Sequence, residues 1–100
     1  METVTNPLRQ QAQSIFRDLG YSVSGEGTDL RATRKWRVVH VTPMPEPREP
    51  PTAGDLRCFV TWAESVPAIE SHLLWADPDY EWALVGVDAD GDYEVAHQLF

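Results

Sequence analysis

Asp88, Asp90 and Asp92 stand at alternate positions in the segment DADGD, and carboxylates at that spacing can converge on a hard cation such as calcium. The resemblance to a calcium loop stops there. Such a loop places glycine directly after its third acidic position, where this chain has Tyr93, and no bidentate acid follows at the required distance. Asp-Gly between two strand-like segments is itself a strong hairpin signal, so a turn is the simpler reading. His40, His72 and His97 carry imidazoles suited to zinc ligation or general-base work, but they are far apart and show no ligand spacing. His40 and His97 meet only if the strands that carry them are neighbours. Ser24, Ser65 and Ser71 lie in no G-x-S-x-G context, and Gly25-Glu26-Gly27 does not continue into a phosphate-binding glycine loop. Cys58, the single cysteine, sits in the apolar run LRCFVTW and reads as a small buried hydrophobe. No catalytic, cofactor-binding or metal-ligating set is expected.

The segment LRATRKWRVVHV, residues 30–41, is the more informative feature. It carries Arg31, Arg34, Lys35 and Arg37, half of the chain's 8 Lys and Arg, around Trp36. Three explanations compete. The cations can pair with acids on neighbouring strands, which stabilises sheets modestly. They can meet an acidic protein surface, including the acidic C-terminal part of a second copy, because Arg and Trp are common interface anchors. They can also neutralise phosphates while Trp36 stacks on a base. A net charge of −8 opposes the nucleic-acid reading, since the whole-molecule field repels a polyanion. In concentrated salt, where the Debye length falls to about 3 Å, long-range attraction is lost as well.

The surrounding composition sets the class. With 100 residues, 42% of them hydrophobic, and 4 Trp, 3 Tyr and 3 Phe, the chain has material for a single domain with one core and is not of the disordered type. It lacks the long apolar run of a membrane span and the basic and apolar segments of a signal peptide, so a soluble, cytoplasmic protein without membrane association is expected. The charge is asymmetric: 16 acids stand against 8 basic residues, and no Lys or Arg occurs after Arg57. Excess carboxylate with a single lysine suits solubility in concentrated salt, which points to a halophilic source.

Several elements must position these residues. Asn6-Pro7 reads as a helix cap, with Leu8, Ala12, Ile15, Phe16 and Leu19 at helical spacing before Gly20. A short strand, Tyr21 to Ser24, and a Gly25-Glu26-Gly27 turn follow, then a strand from near Asp29 and a more central one over Trp36 to Val41. If the turn between them falls near Arg34-Lys35, the basic residues sit at a hairpin tip. A proline-rich surface loop is expected over residues 42–55, because proline lacks the amide donor of a central strand. Leu56 to Trp62 alternates, with Leu56, Cys58, Val60 and Trp62 on one dominant core face. Ser65-Val66-Pro67 opens a second helix with Val66, Ile69, Leu73 and Trp75 inward, ending before Asp77-Pro78. EWALVGV, the DADGD turn and YEVAHQLF close the chain as a hairpin. The expected fold is α+β: two helices on a mostly antiparallel sheet of five to six strands, ordered α-β-β-β-β-α-β-β in one domain, residues 1–100.

Two resemblances bear on function. The order helix, strand, hairpin and later helix, with Asp29 near a strand start, is similar over about half the chain to small nucleases of the restriction-endonuclease-like fold. Those nucleases carry an acid, a spacer and a lysine on the following strand; the corresponding place here reads His40-Val41-Thr42, so no active site is implied and Asp29 reads as a turn acid. The combination IFRDLGYSVSGEG, LRATRKWRVV and LRCFVTW in so acidic a background resembles a group of small haloarchaeal proteins of unknown activity. That resemblance implies a halophilic cytoplasm and no cofactor. The resulting expectation is a non-enzymatic interaction domain, possible homo-oligomerisation included, that uses Arg31, Arg34, Lys35, Trp36 and Arg37. The alternative is a nucleic-acid-binding accessory protein centred on the same residues.

Overall fold

A computed structural model of the chain describes residues 7–25, 29–45 and 56–97. Two helices flank a six-stranded sheet in the order α1 (Pro7–Asp18), β1 (Ser22–Ser24), β2 (Leu30–Arg34), β3 (Arg37–Pro43), β4 (Leu56–Trp62), α2 (Val66–Ala76), β5 (Glu81–Val87) and β6 (Tyr93–His97). This is the expected α+β order. The cap at Asn6, the turn residues Glu26 and Gly27, and residues 46–55 of the expected proline loop lie outside the described residues.

The strands are arranged in sequence order, β1-β2-β3-β4-β5-β6. β1, β2 and β3 form an antiparallel meander, β3–β4 and β4–β5 are parallel, and β5–β6 is antiparallel. The sheet is therefore mixed, with its parallel ladders at the centre. The β4–β5 pair is parallel because α2, between them, supplies the crossover that carries the chain back along the sheet.

The two helices pack on opposite faces. Leu8, Ala12, Ile15 and Phe16 of α1 form one stripe against Leu30, Ala32, Val39, Val41, Cys58, Val60, Ala83, Val85 and Val87. On the other face Ile69 and Leu73 of α2 meet Met44, Phe59, Tyr80 and Leu84. β4 and β5 lie between two helices and are buried on both sides. The alternation in β4 suggested a single core face; the structure buries Phe59 and Thr61 as deeply as Cys58 and Val60. Thr61 is tolerated because its hydroxyl donates to the Met44 carbonyl at 2.7 Å.

β3 also runs further than expected, into the stretch read as a proline loop. Thr42 and Pro43 pair with Phe59 and Val60, and Met44 is buried with its amide bonded to the Val60 carbonyl at 2.8 Å. Amides alternate sides along a strand, so the donor that Pro43 lacks would point toward β2, whose last pair with β3 is Leu30↔Val41. Among the described residues the proline interrupts no ladder bond.

α1 ends as its glycine predicts. Gly20 takes φ +92°, its amide bonds the Arg17 carbonyl, and the Tyr21 amide bonds the Phe16 carbonyl, the paired bonds of a Schellman motif. The hydrophobic contact that accompanies the motif is the edge-on pair of Phe16 and Tyr21, with ring centroids 5.3 Å apart. Leu19 stands at this end and is 47% exposed rather than inward. α2 ends differently, on Asp77 in the left-handed region (φ 47°, ψ 60°) with its amide on the Leu73 carbonyl. A carboxylate at a helix C-terminus opposes the helix dipole, and asparagine accepts left-handed φ more readily. Asp77→Asn is accordingly expected to stabilise the fold by about 0.5–1 kcal/mol, read as a Tm rise of roughly 2–6 °C.

Cys58 is 2% exposed, and burial pushes its thiol up to about 12 from an ordinary 9.0. The native protein should resist alkylation at neutral pH, and labelling should report unfolding. The thiol also predicts a pH effect. Between pH 9 and 12 the unfolded thiol ionises while the folded one does not, so the unfolded state holds fewer protons and stability falls as pH rises through that window. Denaturation of Cys58→Ala across the same window should lack that component of the loss.

Candidate interaction surface

The β2–β3 hairpin turns at Lys35-Trp36, between the paired Arg34 and Arg37. Lys35 takes φ 57°, as favoured two-residue hairpin turns require at their first central position. The turn therefore falls at the place that puts the basic segment at a hairpin tip. Trp36 belongs to that turn rather than to the following strand and is 88% exposed.

Strand pleating then divides the basic residues. Arg34 and Arg37 follow Ala32 and Val39 on the α1 face of the sheet, just past the end of α1; the Arg34 guanidinium lies against Gly20. Arg31 points to the opposite face, between Ser24 of β1 and His40 of β3. The sequence presents five adjacent candidates, and the structure gathers Arg34, Lys35, Trp36 and Arg37 at the tip while setting Arg31 apart. A shallow concavity of about 420 Å³ lies at the tip, lined by Tyr21, Arg34, Lys35, Trp36 and Arg37.

The register bears on the sheet-support explanation. Arg34 faces Arg37 directly across the hairpin, and the cross-strand neighbours of Arg31 are Ser24 and His40. None of these is an acid. Like charges set opposite each other in a sheet are unfavourable, so the direct Arg34–Arg37 pair does not itself stabilise the hairpin. Arg57 is the contrasting case: it donates to Thr42 Oγ1 at 3.3 Å and lies 5.5 Å from the centre of the Tyr80 ring. Burial raises the pKa of the Tyr80 hydroxyl, and the Arg57 charge counteracts part of that rise.

The remaining chemical candidates do not assemble. β3 and β6 are separated by β4 and β5, so His40 and His97 stand three strand spacings apart, about 14 Å. His97 instead stacks on Trp82 at 3.9 Å between centroids. In the DADGD turn, Asp88 Oδ1 accepts the amides of Asp90 at 2.9 Å and Asp92 at 3.1 Å, which commits that carboxylate to shaping the turn. Among the described residues no group of three or more His, Cys, Asp and Glu could hold a metal ion, and no helix is long and apolar enough to cross a membrane.

The sequence reading missed a second exposed aromatic. Trp75, expected inward, is 90% exposed beside Leu74 at 61%. On a helix, Ile69 and Leu73 define the buried stripe, and Trp75 falls two residues beyond it, on another side. That offset was legible in the spacing.

No curated protein matches this chain, and no solved structure does either. A family model covers residues 9–97, from α1 through β6, and on that match the chain belongs to DUF7116, a family of unknown function.

Proposed function

We propose that the protein is a non-enzymatic interaction domain of a halophilic cytoplasm, capable of self-association, whose binding surface is the Arg34–Arg37 hairpin tip. Trp36 carries this reading. It is 88% exposed at the end of a two-residue turn, where no packing role requires an indole. Covering such a side chain removes about 200 Å² from water, worth roughly 5 kcal/mol at the usual coefficient. Tryptophan and arginine are also the residues that most often dominate protein interfaces. The neighbouring concavity supplies a place for a partner side chain between Tyr21 and the cationic groups. In concentrated salt only direct contact counts, and an aromatic flanked by short-range charge pairs is suited to that condition.

The same combination of ring and cations supports a second reading, stacking on a nucleic-acid base with phosphate neutralisation. The net charge of −8 ranks it below a protein partner. Affinity capture of the tagged chain at near-native salt, with and without nuclease, separates the two. The comparison variants are Lys35→Glu and Trp36→Ala, both at exposed positions. Protein partners that survive nuclease and disappear with both variants are the expected result. Recovery that depends on nucleic acid transfers the assignment to the second reading, and capture unchanged by either variant removes the hairpin from consideration.

A further inference from the structure

We infer that the occupant of the hairpin tip is a second copy of this chain, docked through the exposed C-terminal end of α2. This rests on the reading of the tip as an interaction surface and names its partner. β3, β4 and β5 are parallel, so all three begin at one end of the sheet. The β2–β3 turn lies at that end. α2 returns the chain from the finish of β4 to the start of β5, which places its C-terminus there too.

Two patches of opposite charge therefore share one end of the molecule. One is Arg34 and Lys35 around Trp36. The other is Leu74 and Trp75 followed by Asp77, Asp79 and Glu81, all exposed. The two tryptophans, 88% and 90% exposed, are the most exposed large hydrophobic residues among those described. Each stands beside charges that complement those of the other.

A two-fold axis lying across this end sets the basic patch of each copy on the acidic patch of the other, so a single isologous interface satisfies both at once. Each indole then meets an apolar and oppositely charged surface, the arrangement found at interface centres. The net charge of −8 on each copy opposes approach at long range, and salt screens that repulsion while leaving contact-range packing in place.

Sedimentation of the full chain across a concentration series in about 1 M salt, where the Debye length is about 3 Å, gives the dimer constant. Two charge-reversed variants supply the decisive comparison: Arg34→Glu/Lys35→Glu, and Asp77→Lys/Asp79→Lys, the latter placing cations where a helix C-terminus favours them. Each alone juxtaposes like charges at both contacts of its homodimer and should raise the dissociation constant at least about tenfold. Mixed in equal amounts they form a heterodimer in which both contacts are attractive, and association should return. Trp36→Ala and Trp75→Ala should each weaken association roughly 30-fold. Circular dichroism confirms that each variant is folded. A wild-type chain that stays monomeric at every concentration overturns this inference while leaving the hairpin reading to its own capture experiment. A wild-type dimer indifferent to both charge variants, or a mixture that does not recover, overturns it as well and places self-association on a different surface.

Discussion

Phe59→Ala is expected to cost about 3–5 kcal/mol of folding stability, the range for a phenylalanine truncated inside a core. Phe59 is 0% exposed at the centre of β4 and is the largest of the fully buried side chains. It lies under α2, clustered among the described residues with buried Met44, Ile69, Leu73, Tyr80 and Leu84. Its ring centroid is 6.5 Å from that of Tyr80. β4 is held between two helices and can collapse little around the deleted ring, so most of the cavity should persist. Domains of this size have about 5–15 kcal/mol of stability in total, so the variant should be marginally folded, with Tm lower by roughly 15–30 °C. The loss should be local at first. Hydrogen exchange across α2 should accelerate before that across α1, which packs on the opposite face. Phe59→Leu, which keeps most of the volume, should cost less than about 2 kcal/mol. A Phe59→Ala protein within 1 kcal/mol of wild type, on the scale of a surface substitution, would show that α2 is not held by this cluster.

Gly86→Ala is the second large effect, and it acts by overpacking. Gly86 lies in β5 beneath the start of α2, where an added Cβ would stand 2.6 Å from Val66 Cγ2 and 3.4 Å from Ala63 Cα. The first contact is shorter than any real approach of two carbons. Relief requires Val66 to change rotamer or the Ala63–Ser65 turn and the first turn of α2 to lift from the sheet. The expected cost is about 1–3 kcal/mol by chemical denaturation. A double-mutant cycle identifies the cause: in a Val66→Ala background the first contact is removed, so the penalty at Gly86 should shrink by at least about 1 kcal/mol. An unchanged penalty would place the strain at the Ala63 backbone instead.

The elements differ in how legible they were, and each difference has a physical source. α1 carries its whole signature locally: an apolar stripe at 3.6-residue spacing, an aromatic pair and a glycine that closes the Schellman motif. Its inward residues were readable except Leu19, which lies where the helix gives way to the cap. β4 was readable as a strand but not as a doubly buried one. Its second face holds Arg57, Phe59 and Thr61, which looks half polar until Thr61 is seen bonded to the Met44 carbonyl and Phe59 covered by α2. Burial on that face depends on a helix that comes later in the chain. Pro43 misled for a similar reason: whether a missing amide matters depends on where the neighbouring strand ends.

The interaction surface divides along the same line. Residue types alone nominated Arg31, Arg34, Lys35, Trp36 and Arg37, and two-residue periodicity in a hairpin already implies that Arg31 and Arg34 face opposite ways. The exposure of Trp75 could be read from its offset to Ile69 and Leu73, but nothing local indicated that the end of α2 shares an end of the sheet with the hairpin. That follows from the parallel pairing of β3, β4 and β5, a contact between distant segments.

By itself, then, the sequence determined the element types and their order, the first helix and its stop, and the identity of the cationic and aromatic candidates. These depend on short-range periodicity, backbone propensity and side-chain chemistry, which travel with the residues. Tertiary structure alone decided which faces are covered, which cations oppose each other, and which distant patches come to lie side by side. Those properties depend on the placement of α1 and α2 on opposite faces of one mixed sheet, and only long-range packing sets that placement.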